Sequence, residues 1–282
     1  MATIFSAWAV LVEILTGLGF NIFSIVTFIQ LLLVHQKGNY SPTLVFYVLS
    51  EILTCTFVGI YLIFLGVFWR YTDSVYNAKA MYYFGVTASV TVSMRPFAVF
   101  ALGIDRILIT TMLTHYKSYF TYFPIVLSLG GSLTLVFVFF AIGYYYVPLV
   151  EYGSCFDFTC LYSGPRLPLY SYSREACSTV NLITGLILFL IVRKKVAKGH
   201  WRQKYDRHVL YTFVCTVFFD FLPHVLSAVM LGIFNLMLSQ FLGPQSAYIT
   251  CVEIFTCALC YRHSFKADIQ TTKTVVLTTQ TK

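Results

Sequence analysis

The stretch TLVFYVLSEILTCTFVGIYLIFLGVFW, residues 43–69, contains a single charged residue, Glu51. As an α-helix it would be about 40 Å long, which is enough to cross the roughly 30 Å hydrocarbon core of a bilayer. Six further apolar runs lie near 8–34, 80–104, 124–150, 176–192, 209–234 and 245–261. The run at 176–192 is the shortest and is close to the lower limit for a span. The sequence therefore predicts a bundle of seven transmembrane helices.

The basic residues are divided unevenly between the two sides that seven crossings define. Arg95 lies inside the third run, and only Arg70, Lys79, Arg166 and Arg174 fall on the first side. Fourteen fall on the other side: Lys37, Arg106, Lys117, Arg193, Lys194, Lys195, Lys198, Arg202, Lys204, Arg207, Arg262, Lys266, Lys273 and Lys282. Because basic loops stay in the cytoplasm, we predict an outer N-terminus and a cytoplasmic C-terminus. Residues 262–282 are then a cytoplasmic tail, which we expect to be disordered after a short surface helix.

The composition excludes a soluble protein. Of the 282 residues, 58% are hydrophobic and 11% are charged, whereas a soluble domain has about 25% charged residues. The apolar runs are continuous rather than alternating, which excludes a β-barrel. The net charge of +8 follows from the cytoplasmic loops and does not indicate nucleic-acid binding. We predict one all-α membrane domain in contact with the lipid bilayer, with no cofactor and no metal site.

Cysteines occur in two notable pairs. Cys155 and Cys160 lie in the predicted outer loop, where an oxidising environment allows a disulfide. Cys177 is a competing partner, and the sequence alone does not decide the connectivity. Cys257 and Cys260 have the spacing of a redox or zinc pair, but two thiols fall short of four zinc ligands. We interpret the second pair as core packing.

Five ionisable residues lie inside the runs: Glu13, Glu51, Arg95, Asp220 and Glu253. Such groups are costly in lipid unless they face the bundle interior, so each is a functional candidate. Measured from the cytoplasmic ends, the last four lie at depths of roughly 12 to 16 Å, in one layer. We predict that Arg95 is the counter-ion of two or more of the three acids, because one guanidinium can bridge two carboxylates. The alternative is a set of separate hydrogen-bonded pairs that only assist packing.

Two further features lie at the predicted cytoplasmic side, and a third lies well inside a span. The pair Asp105-Arg106 closes the third run, and Pro223 lies inside the sixth, where a kink could act as a hinge. The loop 193–208 contains seven basic residues, among them the coupling candidates Arg193, Lys194, Lys195 and Arg202. Such a loop is typical of a topology signal that also attracts anionic lipid, or of a docking surface for a cytosolic protein.

Several stretches occur in an order that resembles a known family. They are Ser93-Met-Arg95 through Gly103-Ile-Asp105-Arg106-Ile107, Gly153-Ser-Cys155…Cys160-Leu, Phe218-Phe-Asp220-Phe-Leu-Pro223, and Gly243-Pro244-Gln-Ser-Ala followed by Glu253. With seven spans, the chain resembles a G-protein-coupled receptor, and most closely the class BC group of nematode chemosensory serpentine receptors. The resemblance covers the third to the seventh helix.

This resemblance implies roles for individual residues. Arg106 would pair with Asp105 at rest and contact the G protein in the active state, and Pro223 would be the hinge of the sixth helix. Arg95 would supply the positive charge of a polar layer joining the second, third and seventh helices. The resemblance also implies a small-molecule ligand, a heterotrimeric G protein as partner, and the plasma membrane of sensory neurons as the location.

The chain departs from rhodopsin-like receptors at three places. No cysteine stands at the top of the third helix, and the seventh ends in Cys257-Ala-Leu-Cys260-Tyr261 without an Asn-Pro-x-x-Tyr element. The sixth contains Asp-Phe-Leu-Pro rather than Cys-Trp-x-Pro. A transporter or channel is the competing function, but we find no mirrored halves in the sequence. An enzyme is disfavoured because no His-Glu-x-x-His or Gly-x-Ser-x-Gly element occurs.

Overall fold

The chain is almost entirely helical in the part that the structure describes. The computed structural model describes residues 4–35, 41–70, 75–112, 118–145, 152–154, 158, 166–197, 204–234 and 244–280. The helices are α1 (Ile4–His35), α2 (Pro42–Val67), α3 (Ala78–Met112), α4 (Ser118–Tyr145), α5 (Arg166–Ala197), α6 (Lys204–Thr216, Val217–Phe221 and Leu222–Phe234 in succession) and α7 (Gln245–Gln280). Each overlaps one of the seven predicted runs, so the prediction of a helical bundle is confirmed.

The bundle is arranged around α3, which packs against α2, α4, α5 and α6. Outside it, α1 packs against α2 and α7, α5 packs against α6, and α6 packs against α7. Aromatic rings pack between α1 and α7, where Phe20 stacks on Phe255 with ring centroids 4.6 Å apart. Twenty of the 35 residues of α3 are buried, so this helix mostly contacts protein.

Among the described residues, five stretches are long and apolar enough to cross a membrane: Ala7–Leu33, Pro42–Val67, Tyr122–Phe139, Glu175–Lys194 and Val209–Leu226. Helices α3 and α7 are not among these five over their described residues, and each carries a charge within its apolar run, Arg95 in α3 and Glu253 in α7. Large apolar side chains cover the outside of the bundle, including Phe137 and Ile233, each more than 70% exposed. A surface of this kind is suited to lipid rather than to water, so the chain is a helical membrane protein.

A short sheet, which the all-α prediction did not include, ties two connecting segments together. Strand β1 (Val75–Asn77) pairs antiparallel with β2 (Tyr152–Ser154), and Tyr76 lies opposite Gly153. Strands of three residues are too short to show a periodicity in sequence. Burial raises the pKa of the Tyr76 phenol to about 12, so the neutral hydroxyl donates a hydrogen bond to the carbonyl of Leu65 at 3.3 Å.

Two predicted boundaries differ from the structure. The last span was expected to end at 261, followed by a short surface helix and a disordered tail over 271–282, yet α7 runs without interruption to Gln280. Residues 262–280 contain neither Pro nor Gly, so no residue there interrupts the helix. Similarly, α3 extends beyond 104 to Met112, which places Asp105 and Arg106 inside the helix rather than at its end.

Close packing between α3, α5 and α6 depends on two glycines. A methyl group added at Gly103 would lie 2.6 Å from Cζ of Phe213 and 2.8 Å from Cγ2 of Thr184. One added at Gly185 would lie 2.8 Å from the Phe213 ring. The ring of Phe213 therefore fills a notch that exists only because neither facing residue has a side chain.

We expect Gly103→Ala to destabilise the bundle, because Phe213 and Thr184 must move to admit the methyl group. Overpacking of this kind costs about 1–3 kcal/mol, which lowers the melting temperature by roughly 2–10 °C. The measurement is thermal unfolding of the detergent-solubilised protein. Gly130→Ala is the matched control, because no atom lies within 4 Å of a methyl group added there. Equal melting temperatures of the two variants would show that Phe213 does not require the space beside Gly103.

Candidate functional site: a buried charged centre

Three charged side chains from three helices meet in the bundle interior. Arg95 of α3 donates from Nε to both carboxylate oxygens of Glu51 on α2, at 2.8 and 2.9 Å. Its Nη1 donates to Oε2 of Glu253 on α7 at 2.5 Å. The exposed fractions are 4% for Arg95, 0% for Glu51 and 1% for Glu253. We name these three residues the charged centre.

The charged centre contains more negative than positive charge, and two of its polar atoms have no hydrogen-bond partner among the described residues. With both acids ionised, one guanidinium faces two carboxylates. Two buried atoms have no hydrogen-bond partner among the described residues: Nη2 of Arg95 and Oε1 of Glu253. Unsatisfied groups at this depth carry a large desolvation penalty, so these two atoms mark where a further interaction would be favourable.

The backbone next to Arg95 is held from two sides. Pro96 follows Arg95 inside α3 and lacks the N–H that an α-helix would use. The hydroxyl of Thr54 on α2 donates to the carbonyl of Thr91 at 3.3 Å. The side-chain amide of Asn181 on α5 donates to the carbonyl of Pro96 at 3.0 Å. Neighbouring helices therefore fix the segment of α3 from which the guanidinium projects.

Asp220, the fourth member of the predicted layer, lies in a separate group. The hydroxyl of Ser178 on α5 donates to its Oδ2, and Nε2 of His224 lies 3.4 Å from Oδ1. Residues Val217–Phe221 form a π-turn, in which the N–H of Leu222 reaches the carbonyl of Val217. The structure thus joins Glu51, Arg95 and Glu253 directly and places Asp220 on the far side of a small cavity that Arg95 also lines.

The pair Asp105 and Arg106 forms a second polar group, toward the C-terminal end of α3. Oδ2 of Asp105 accepts a hydrogen bond from the hydroxyl of Ser41 at 2.8 Å and lies 3.6 Å from Nη2 of Arg106. Asp105 is fully buried and Arg106 is 8% exposed. Ser41 precedes Pro42 at the start of α2, but its hydroxyl makes no cap hydrogen bond and instead reaches α3.

The remaining predicted residues are dispersed. Arg193 and Lys194 are exposed near the end of α5, and Lys195 follows them in that helix. Pro223 is half-buried in α6, directly after the π-turn. Arg202, Cys155 and Cys160 lie outside the described residues. Within the described ranges, no group of three His, Cys, Asp or Glu is arranged to hold a metal ion.

Sequence reasoning missed the uncharged partners of these groups: Ser41, Thr54, Ser178 and Asn181. Ser, Thr and Asn are frequent in transmembrane helices, so their presence in a run gives no specific signal. Ser41 could have been noticed as a residue preceding a proline at a helix start. That rule would have predicted a cap rather than a contact with Asp105.

Comparison with known proteins does not assign the chain to a family. No protein-family model matches the chain, and no curated protein sequence matches it.

Replacing Arg95 with Ala should leave two buried carboxylates without a counter-ion. Breaking a buried ion pair costs about 3–5 kcal/mol, so we expect the yield of folded protein to fall roughly tenfold or more. A second change, Glu51→Gln, should recover part of that yield, since it removes one of the stranded charges. The measurement is fluorescence-detected size-exclusion chromatography of the solubilised chain.

Arg70→Ala is the control for this experiment, because Arg70 is exposed beyond the end of α2 and its loss should leave the yield unchanged. Glu253→Gln provides an independent route to rescue. If neither neutralised acid improves the yield of the Arg95→Ala protein, the three residues do not act as one charged centre.

Proposed function

We propose that this chain is a G-protein-coupled chemosensory receptor, which detects a small environmental molecule and activates a heterotrimeric G protein. In this proposal the seven helices all cross the plasma membrane of a sensory neuron, with the N-terminus outside and the C-terminus in the cytoplasm. The observation that carries it is the contact among Ser41, Asp105 and Arg106. It joins α2 to α3 at the end of the bundle that also presents Arg193 and Lys194.

In this proposal, the contact of Asp105 with Arg106 and Ser41 belongs to the resting state of the receptor. The carboxylate of Asp105 contacts both Arg106 and Ser41, and this ion pair favours a guanidinium that stays against the bundle. In the active state this contact opens and Arg106 meets the G protein. A ligand produces that change only through a higher affinity for the open arrangement.

Helix α6 is the element best suited to move. The π-turn at Val217–Phe221 followed by Pro223 weakens the regular backbone hydrogen bonding at one place. Bends in helices concentrate at such positions. The basic residues at the end of α5 adjoin the connection to α6, so a movement of α6 would change the surface that Arg193 and Lys194 present.

We expect Asp105→Asn to raise ligand-independent signalling, because it removes the charge that holds Arg106. A loss of about 1–2 kcal/mol of resting-state stabilisation changes the ratio of the two states by a factor of roughly 5 to 30. Arg106→Ala should abolish activation of every G protein. The measurement is a G-protein dissociation assay in cells, with a panel of Gα subunits and of volatile and soluble compounds.

Arg70→Ala, with equal surface expression, is the control for the signalling assay. A response that persists in Arg106→Ala would contradict the role of that residue. If no compound and no Gα subunit gives a signal while the chain carries an ion or solute flux, the transporter or channel hypothesis would replace the receptor.

The proposed orientation has its own test. An epitope after Lys282 should bind antibody only in permeabilised cells, and one before Met1 should be labelled on intact cells. The sequence Asn39-Tyr40-Ser41 fits the glycosylation pattern but would face the cytoplasm, so it should remain unmodified. Labelling of the C-terminal epitope on intact cells would show that the proposed orientation is wrong.

A further inference from the structure

A small cavity separates the charged centre from Asp220. It is lined by residues of α3 and α6: Val92, Arg95, Pro96, Val99, Thr216 and Asp220. Its volume is about 10 Å³, close to the roughly 10–15 Å³ that a single water molecule needs. Half of the lining residues are polar, so the cavity differs from the purely apolar voids that stay dry in proteins.

Each polar lining residue has hydrogen-bonding capacity to spare. Arg95 uses Nε and Nη1 on the two glutamates, and its buried Nη2 has no hydrogen-bond partner among the described residues. Thr216 donates its hydroxyl hydrogen to the carbonyl of Thr212 at 3.0 Å, which leaves the hydroxyl oxygen able to accept. Asp220 accepts from Ser178 at Oδ2 and has His224 near Oδ1, and the about four acceptor positions of a carboxylate allow a water to share it with these partners.

We propose that this cavity binds one ordered water molecule that links Arg95 to Asp220. The water accepts a hydrogen bond from Nη2 of Arg95 and donates one to Asp220 and one to the hydroxyl oxygen of Thr216. Three hydrogen bonds are the usual number for a buried water. A metal cation is disfavoured because a guanidinium lines the same space, and the volume is too small for an organic ligand.

This water joins the charged centre to the group around Asp220. Glu51, Arg95 and Glu253 connect α2, α3 and α7, while Ser178, Asp220 and His224 connect α5 and α6. The water provides the polar contact between these two groups, at the π-turn where α6 deviates from a regular helix. The site depends only on the bundle interior and is independent of whether the chain is a receptor.

Infrared spectroscopy of the purified full chain in lipid tests the site directly. The sample is hydrated with heavy water containing either ordinary oxygen or oxygen-18, and the wild-type spectrum is compared with that of Thr216→Val. This change removes one acceptor at nearly constant volume. We expect the difference spectrum to contain an O–D stretching band that shifts to lower frequency with oxygen-18, because the water is lost or its hydrogen bonding changes.

Thr250→Val is the matched control. Thr250 is also buried, and its hydroxyl donates to a backbone carbonyl at 2.8 Å, that of Ser246 in α7, but it does not line the cavity. Its difference spectrum should lack the band. An isotope-insensitive spectrum for Thr216→Val, or the same band in both variants, would overturn the proposal. So would an experimental density map in which Nη2 of Arg95 bonds directly to Asp220 with no water between them.

Discussion

The pairing of Arg95 with Glu51 and Glu253 is the constraint on which the relative positions of the helices depend. Lipid supplies no counter-ion, and an ion taken out of water carries a penalty of several kcal/mol unless a partner is in place. The three residues come from α2, α3 and α7, which are distant in sequence. Their bonds are 2.5–2.9 Å long, whereas one helical turn is about 5.4 Å. A slip of any of these helices by one turn would therefore break the centre, so electrostatics selects the register that apolar packing alone leaves loosely specified.

The central position of α3 explains why it differs in composition from its neighbours. A helix that contacts lipid must be apolar around most of its surface, but α3 is enclosed by α2, α4, α5 and α6. It can therefore carry Arg95, Asp105 and Arg106 and still cross the bundle, provided that each finds a polar partner in the interior. The same enclosure requires small residues such as Gly103, because the ring of Phe213 occupies the space of a side chain.

The sequence predicted the parts of the structure that depend on composition and regular spacing, which include the seven apolar runs and the depth at which the charged residues lie. A depth along a helix follows from a rise per residue, so Glu51, Arg95 and Glu253 could be placed in one layer before any contact was known. The rotation of each helix about its axis does not follow in this way. That rotation places Asp220 beside Ser178 of α5, and Ser41 beside Asp105. The paired strands β1 and β2 and the extension of α7 to Gln280 were also missed, because neither has a strong local signal.

Two of the contacts that hold helix α6 in the bundle differ in physical character. Phe213 is held in a notch of α3 and α5 by shape, and close-packed interiors resist gradual displacement. Asp220, nearly two turns further along, accepts a hydrogen bond from Ser178 of α5 and lines a polar cavity together with Arg95. Polar contacts of this kind can exchange partners or water with little change in volume. The π-turn begins four residues after Phe213 and includes Asp220, so the segment from the turn onward can rearrange while Phe213 keeps the first half of α6 in place. A movement that begins at Asp220 would therefore act as a bend of α6 rather than as a displacement of the whole helix.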